Sequence, residues 1–491
     1  MNSSRFKISL VIALGAALNG CAVGPDYHRP AVRVPAHYAA QPGWTPAAPA
    51  DRAPKGDWWT DFHDPLLDRL EPLIATSNQS VRQTYANYQQ ALALVKVARA
   101  QLLPSFGLAA AVSRSRSGSG GAGAARAGSV VDSGSLEGIA SWSPDLWGAV
   151  RRLVQQNAAI AQADQALLAN ATLSVQTLLA TTVIELRIAD ADIGLQNKTV
   201  EAYRKTLRLT LQQQAAGVST APPSAVIAAR VALETEQANR ISLGVVRAQY
   251  AHAIAILVGR NPEDLDIPQD PVMPTLPTVP AGVPSSLLQR RPDIAAAERS
   301  MAAQNAAVGY AVAAYYPSLS LSAAAGFSQS PLNGLLHAAN DVWSLGANGA
   351  ETLFDFGARH AQVQAARAAY QAAVASYRGT VLNAFARVEN DLTGLQILAL
   401  QAQALDRAVR DAIRGTEIAL AEFQAGTVDY TAVAQAQVAQ LSDQQAALAV
   451  QQSRLVDAVA LIGDLGGGWS VDRLRDPLHP NGSARAATPT P

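Results

Sequence analysis

Apolar and polar residues alternate along residues 104–116, where Phe106, Leu108, Ala110 and Val112 interleave with Ser105, Gly107, Ala109 and Ser113. The same period of two returns at 317–329, with Leu319, Leu321, Ala323 and Ala325 set between Ser318, Ser320, Ser322 and Gly326. Such alternation predicts a β-strand with one apolar and one wet face. Pro104 and Pro317 stand at the strand starts, where no ladder donor is lost. Each copy continues through a Gly/Ser-rich stretch into a second short segment with Trp142 or Trp343, then a turn, PDLWG at 144–148 or LFDFG at 353–357. Two strand pairs are expected, near 104–116 and 135–146, then near 317–329 and 341–354.

The period then changes. Residues 149 to about 215 and 358 to about 424 contain no proline, and each stretch ends in Ala-Gly, at Ala216-Gly217 and Ala425-Gly426. Return helices follow, which predicts coiled-coil hairpins over 149–258 and 358–462. Leu179, Leu186, Ile193, Val200 and Leu207 share one heptad phase, as do Val374, Val381, Val388 and Leu395, and Leu441, Leu448, Leu455 and Ile462. Strands, turns and helices thus repeat with an offset near 210 residues, the mark of an internal duplication. A helix of 66 residues would be about 100 Å long at 1.5 Å per residue, more than a compact domain needs. Off the seams stand Gln, Asn, Ala, Thr and Ser, which suit a solvated face or a wet channel lining.

Four strands cannot close a barrel, and open edges in lipid leave backbone groups unpaired. Bacterial barrels begin at about eight strands, so identical chains must pool strands, and the chain is expected to be an obligate oligomer.

Composition narrows the function. Lys plus Arg number 38 and Asp plus Glu number 38, so no broad basic surface exists for nucleic acid. The seven histidines show no metal-ligand spacing, Gly118–Gly123 lacks the Lys-Ser/Thr of a phosphate loop, and no nucleophile elbow stands in a plausible frame. An enzyme is not expected, nor any cofactor apart from covalent lipid. Arg5 and Lys7, an apolar run from Ile8 to Leu18, and then Asn19-Gly20 before Cys21 read as an export signal over 1–20. No later segment is expected to span a membrane as a helix. Leu-Asn-Gly-Cys resembles the lipobox of bacterial lipoproteins, which makes Cys21 the lipid attachment site, and Ala22 in place of Asp favours the outer membrane. The remaining boundaries are a lipidated strap at 21–56, a first repeat at 57–262, a Pro-rich linker at 263–284, a second repeat at 285–466 and a tail at 467–491. Trp58 and Trp59 read as packing anchors, and Arg290-Arg291 before Pro292 as a helix start. Residues 118–133, flanked by Arg114 and Arg116 and containing Arg126, are expected to form an extracellular loop.

Several motifs in order carry a resemblance: Cys21 to Tyr27 (CAVGPDY), Trp58-Trp59 with Phe62 and Asp64-Pro65-Leu66, Leu103-Pro104-Ser105, Asp145-Leu146-Trp147-Gly148, Arg290 to Ile294 (RRPDI), and Tyr316-Pro317-Ser318-Leu319. Across nearly the whole mature chain the protein resembles the TolC-like outer membrane factors, in particular the NodT-like outer membrane efflux lipoproteins. The resemblance implies an α+β membrane protein: a homotrimeric 12-stranded outer-membrane β-barrel continuous with a long periplasmic α-helical barrel. It implies an outer membrane channel working with a periplasmic adaptor and an inner-membrane efflux pump to export toxic small organic compounds, fusaric-acid-like aromatic acids among them. Related channels commonly carry Asp-Ala-Gln-Arg just after the second hairpin join. Here the aligned residues are Gln435, Ala436, Gln437 and Val438, so a charged ring is absent there. Thr431, Gln435 and Val438, at i, i+4 and i+7, are the candidate tip constriction. The alternatives are a periplasmic adaptor or a structural coiled-coil lipoprotein tether. An adaptor would need one hairpin among β-rich modules, and a tether would not need the strands.

Overall fold

The structure is a computed structural model that describes residues 22–35, 56–116, 130–279 and 288–479. The export signal, Cys21 and Arg126 lie outside the described residues. In chain order the elements are α1 (Pro65–Ser77), α2 (Gln79–Ala100), β1 (Ser105–Arg116), β2 (Val130–Trp142), α3 (Ala149–Ala215) and α4 (Pro223–Leu257). Then come α5 (Pro292–Ala313), β3 (Ser318–Gln329), β4 (Asp341–Ala350), α6 (Ala358–Gln424) and α7 (Tyr430–Asp464). The duplication is exact in length for four element pairs: α2 and α5 have 22 residues, β1 and β3 have 12, α3 and α6 have 67, and α4 and α7 have 35.

Both long helices start alike. Gly148 (φ 83°) and Gly357 (φ 88°) adopt the left-handed conformation that glycine takes without a Cβ clash. The Asp145 carboxylate accepts from the Val150 and Arg151 amides at 3.0 and 2.9 Å, and Asp355 accepts from the Gly357 and Arg359 amides at 3.0 and 3.1 Å. These carboxylates satisfy donors that a helix start leaves orphaned. Both helices also end alike: Val218 N–H reaches Gln213 O and Thr427 N–H reaches Glu422 O, each at 3.0 Å, around the left-handed Gly217 and Gly426. This is the Schellman closure.

The strands form one antiparallel sheet in the order β1-β2-β3-β4. β2 starts at Val130, five residues before the alternation predicts, because the ladder continues until Arg116 meets Val130. It stops at Trp142 rather than 146, since Pro144 has no amide to donate and Asp145 turns to cap the helix. β4 stops at Ala350 rather than 354, because β3 begins at its partner Ser318 and offers nothing further.

The main core is a belt around the middle of α3. Trp58, Trp59, Phe62, Leu67, Leu70 and Ile74 pack there with Leu179, Ile184, Leu186, Ile254, Leu455 and Ile462. α3 contains a window long and apolar enough to cross a bilayer by length and composition alone. Leu179, Val183 and Ile184 of this helix are buried in the belt, each fully removed from solvent. A second core joins Ile294 and Met301 of α5 to Tyr377, Val381, Phe385 and Val388 of α6. Arg291, directly before α5, is buried and paired with Asp293 and Asp464, both at 2.7 Å, so this arginine serves packing.

Candidate functional site

Antiparallel partners share a face, so the register sorts every strand residue. Phe106, Leu108 and Val112 align through Ala140, Gly138 and Gly134 of β2, and Trp142, Ala140 and Leu136 align with Leu321, Ala323 and Phe327 of β3. Ala323 and Ala325 then meet Leu345 and Trp343 of β4. One face is therefore apolar through its middle, and it is bare: Phe106 is 81% exposed and Leu345 76%, as lipid-facing residues are in a single chain.

The other face presents Ser105, Ser113, Ser133, Ser141, Ser320, Ser322, Ser344 and Asn348 among Gly and Ala, with Glu137 and the apolar exceptions Val131, Ile139 and Val342. Hydroxyls there bond across strands, Ser105 to Ser141 at 2.7 Å and Ser113 to Ser133 at 2.8 Å. This is the wall of a water-filled passage. Gly326 makes it close-fitting, because a Cβ there would stand 2.1 Å from Leu136 O across the β2–β3 joint.

The segment at 22–35 is held at the sheet–helix junction. Val23 N–H donates to Trp147 O at 3.0 Å, and a Cβ on Gly148 would stand 2.7 Å from Ala22 Cα. Arg152, buried, donates to Val23 O, Gly24 O and the Asp26 carboxylate, each at 3.1 Å. Asn305 donates to Pro25 O at 3.0 Å, the Tyr27 hydroxyl donates to Glu298, and Arg29 donates to the Tyr377 hydroxyl at 2.8 Å. The strap thus ties α3, α5 and α6 together. Sequence reasoning foresaw a strap but none of these partners, which lie more than 120 residues away.

At the far end, the two hairpin tips meet. Phe423 and Tyr430 pack edge to face with centroids 6.4 Å apart, beside Ala221, Ala225 and Val433. The Gln213 amide donates to Phe423 O at 2.6 Å, Gln437 to Thr206 Oγ1 at 2.9 Å, and Thr416 Oγ1 to Ala436 O at 3.0 Å. Burial, with Glu236 and Tyr430 nearby, pushes the Tyr203 hydroxyl up to about 12, and burial also raises Tyr430. Both tyrosines stay neutral at physiological pH, so the inner contacts of the tip are uncharged. Asp429 accepts from the Thr431 and Ala432 amides at 3.0 and 3.3 Å and caps α7. Thr431, Gln435 and Val438 lie together on an exposed stripe of α7, opposite the buried Val433 and Gln437. Gln437 was legible only as a departure from a charged motif, and its bond to Thr206 carried no sequence signal.

A family model described as "Outer membrane efflux protein" matches residues 72–260 and 283–467. The chain belongs to the outer membrane efflux protein family. The toluene efflux pump outer membrane protein TtgC of Pseudomonas putida is 29% identical over 458 residues, covering 92% of this chain and 93% of the relative. The outer membrane protein OprJ of Pseudomonas aeruginosa is 28% identical over 485 residues, covering 96% and 98%. Among solved structures, the outer-membrane channel OprN superposes with a TM-score of 0.84 at 28% identity, over 91% of this chain and all of that one. The open state of the Neisseria gonorrhoeae MtrE channel gives 0.80 at 26%, over 91% and 98%.

As a member of this family the chain is a non-enzymatic outer membrane efflux channel extending into the periplasm. Three copies share a 12-stranded barrel continuous with a helical one. The adaptor and tether readings fall, since a duplicated strand pair feeding two hairpins is the plan of the channel itself.

Proposed function

We propose that this chain is the exit duct of a three-part efflux assembly. A periplasmic adaptor joins it to an inner-membrane pump, and the cargo is toxic small organic compounds, including antibiotics and aromatic acids of the fusaric type. The duct supplies no energy. The observation that carries this reading is the sheet, apolar outside and serine-lined inside, feeding directly into two hairpins whose long arms of 67 residues reach about 100 Å. Names of relatives that handle toluene and antibiotics support the cargo class. Deleting the gene should lower the tolerated concentration of such compounds several-fold, and the intact gene should restore it. Unchanged tolerance across aromatic acids, solvents and antibiotics would remove the cargo assignment.

Cys21 carries the lipid, which holds each copy at the inner leaflet of the outer membrane. Ala22 packs against Gly148, where the strands pass into the long helix, and this supports an anchor at the membrane end of the chain. Each buried CH₂ contributes about 0.8 kcal/mol, and two or three acyl chains anchor firmly. The intact mass of the purified chain should equal residues 21–491 plus acyl groups, whereas a retained signal or a bare thiol would contradict the anchor. Thr431, Gln435 and Val438 form the tip constriction of the assembled tunnel.

A further inference from the structure

The sheet ends in two unpaired edges, β1 and β4. In the shared barrel each β4 lies against the β1 of the next copy. β1 leaves the belt and β4 returns to it, so this seam is antiparallel like the three pairings within the chain.

Two constraints fix its register. β4 has 10 residues and β1 has 12, so a fully paired seam places Asp341 opposite residue 114, 115 or 116. Facing supplies the second. Asp341 pairs with Phe327 and so stands on the lipid-facing side, the side of Phe106, Leu108 and Val112, and of Arg114 and Arg116. Ser115 is on the lumen side, and pairing with it would turn one copy's apolar face into water. Asp341 therefore opposes an arginine in either permitted register. Arg114 already pairs with Asp132 of its own chain at 3.4 Å. Among the described residues, neither Arg116 nor Asp341 makes an ion pair.

We infer that Asp341 of each copy pairs with Arg116 of the partner subunit, an ion lock at the outer rim of every seam that sets the register in which the barrel closes. This rests on the threefold barrel and adds its joint. The same register brings Leu345 beside Val112 and Gly349 beside Leu108 on the lipid side, and Ser344 beside Ser113 in the lumen, repeating the hydroxyl contact of Ser113 with Ser133. Exposed ion pairs contribute little in water, but at a lipid boundary the lower dielectric strengthens them. A slip by two residues would leave Arg116 beyond the end of β4 and crowd Asp341 onto an arginine that already has Asp132.

Cysteine pairs read the register directly, because a disulfide needs Cα atoms about 4.4–6.8 Å apart. Ser113→Cys with Ser344→Cys should join copies into a covalent three-chain band on a non-reducing denaturing gel. Ala111→Cys with Ser344→Cys, the pair of the slipped register, should leave single chains. The opposite result would overturn the lock. No band from either pair, in material whose native mass is three chains, would overturn the seam while leaving the shared barrel standing. Arg116→Asp and Asp341→Arg should each lower the temperature at which the trimer dissociates, and the double exchange should restore it. Loss with Arg116→Asp alone and no rescue would mean that lipid phosphates hold the arginine, contrary to this assignment.

Discussion

Glu71 lies wholly inside the belt core, with neither carboxyl oxygen hydrogen-bonded among the described residues. Burial pushes its pKa from 4.5 up to about 9, so the folded protein holds the proton at neutral pH. The unfolded chain releases that proton near 4.5. Stability tied to Glu71 is therefore complete below that pH and is lost as pH rises towards 9, at about 1.4 kcal/mol per pH unit as an upper bound. Glu71→Gln should flatten the fall in melting temperature between pH 5 and pH 8.5 and raise stability at the alkaline end by on the order of a few kcal/mol. An unchanged pH profile would mean that the carboxyl ionises in place. Nothing local in the sequence marks Glu71, because the core around its helix is completed by residues such as Leu179, Ile254 and Leu455 from distant segments. The same holds for Arg187 with Asp64 at 2.8 Å and for Arg152 with the strap. Buried pairs across more than 100 residues leave no spacing to read.

Elements were far more legible, since their signals are local. A period of two marks strands and a period of seven marks seams: Leu179, Leu186, Val200, Val381, Val388, Leu455 and Ile462 are buried, while Ile193, Leu207, Val374, Leu395, Leu441 and Leu448 of the same phases are half-buried. The end of β2 was misread because a proline and a capping aspartate, rather than the alternation, end it. On α7 the same local logic groups Thr431, Gln435 and Val438 on one face, but which surface that face meets depends on neighbouring copies, beyond any single-chain pattern. The constriction assigned to it is neutral, so hydrogen bonds and apolar contact would hold it, and salt screens these little. Gln435→Ala should raise single-channel conductance of the purified channel in a planar bilayer, with little change in the effect between low and high salt. Unchanged conductance on truncating all three residues would place the constriction elsewhere.

At the scale of the whole molecule, one chain is an incomplete object. Its sheet has two bare edges and an apolar face with Phe106, Leu108, Val112, Trp343 and Leu345 uncovered, and among the described residues no element covers them. Lipid covers the face, whereas only further strands satisfy the edges, since unpaired backbone groups cost several kcal/mol each in hydrocarbon. Internal duplication supplies half of this economy, with two similar units giving two strands each, and threefold assembly supplies the rest. The most direct test is the native mass of the purified protein in mild detergent, with strand content read in parallel by circular dichroism. Three chains per particle is the predicted result. A stable particle of one chain with its strands intact would contradict the shared barrel, and with it the duct.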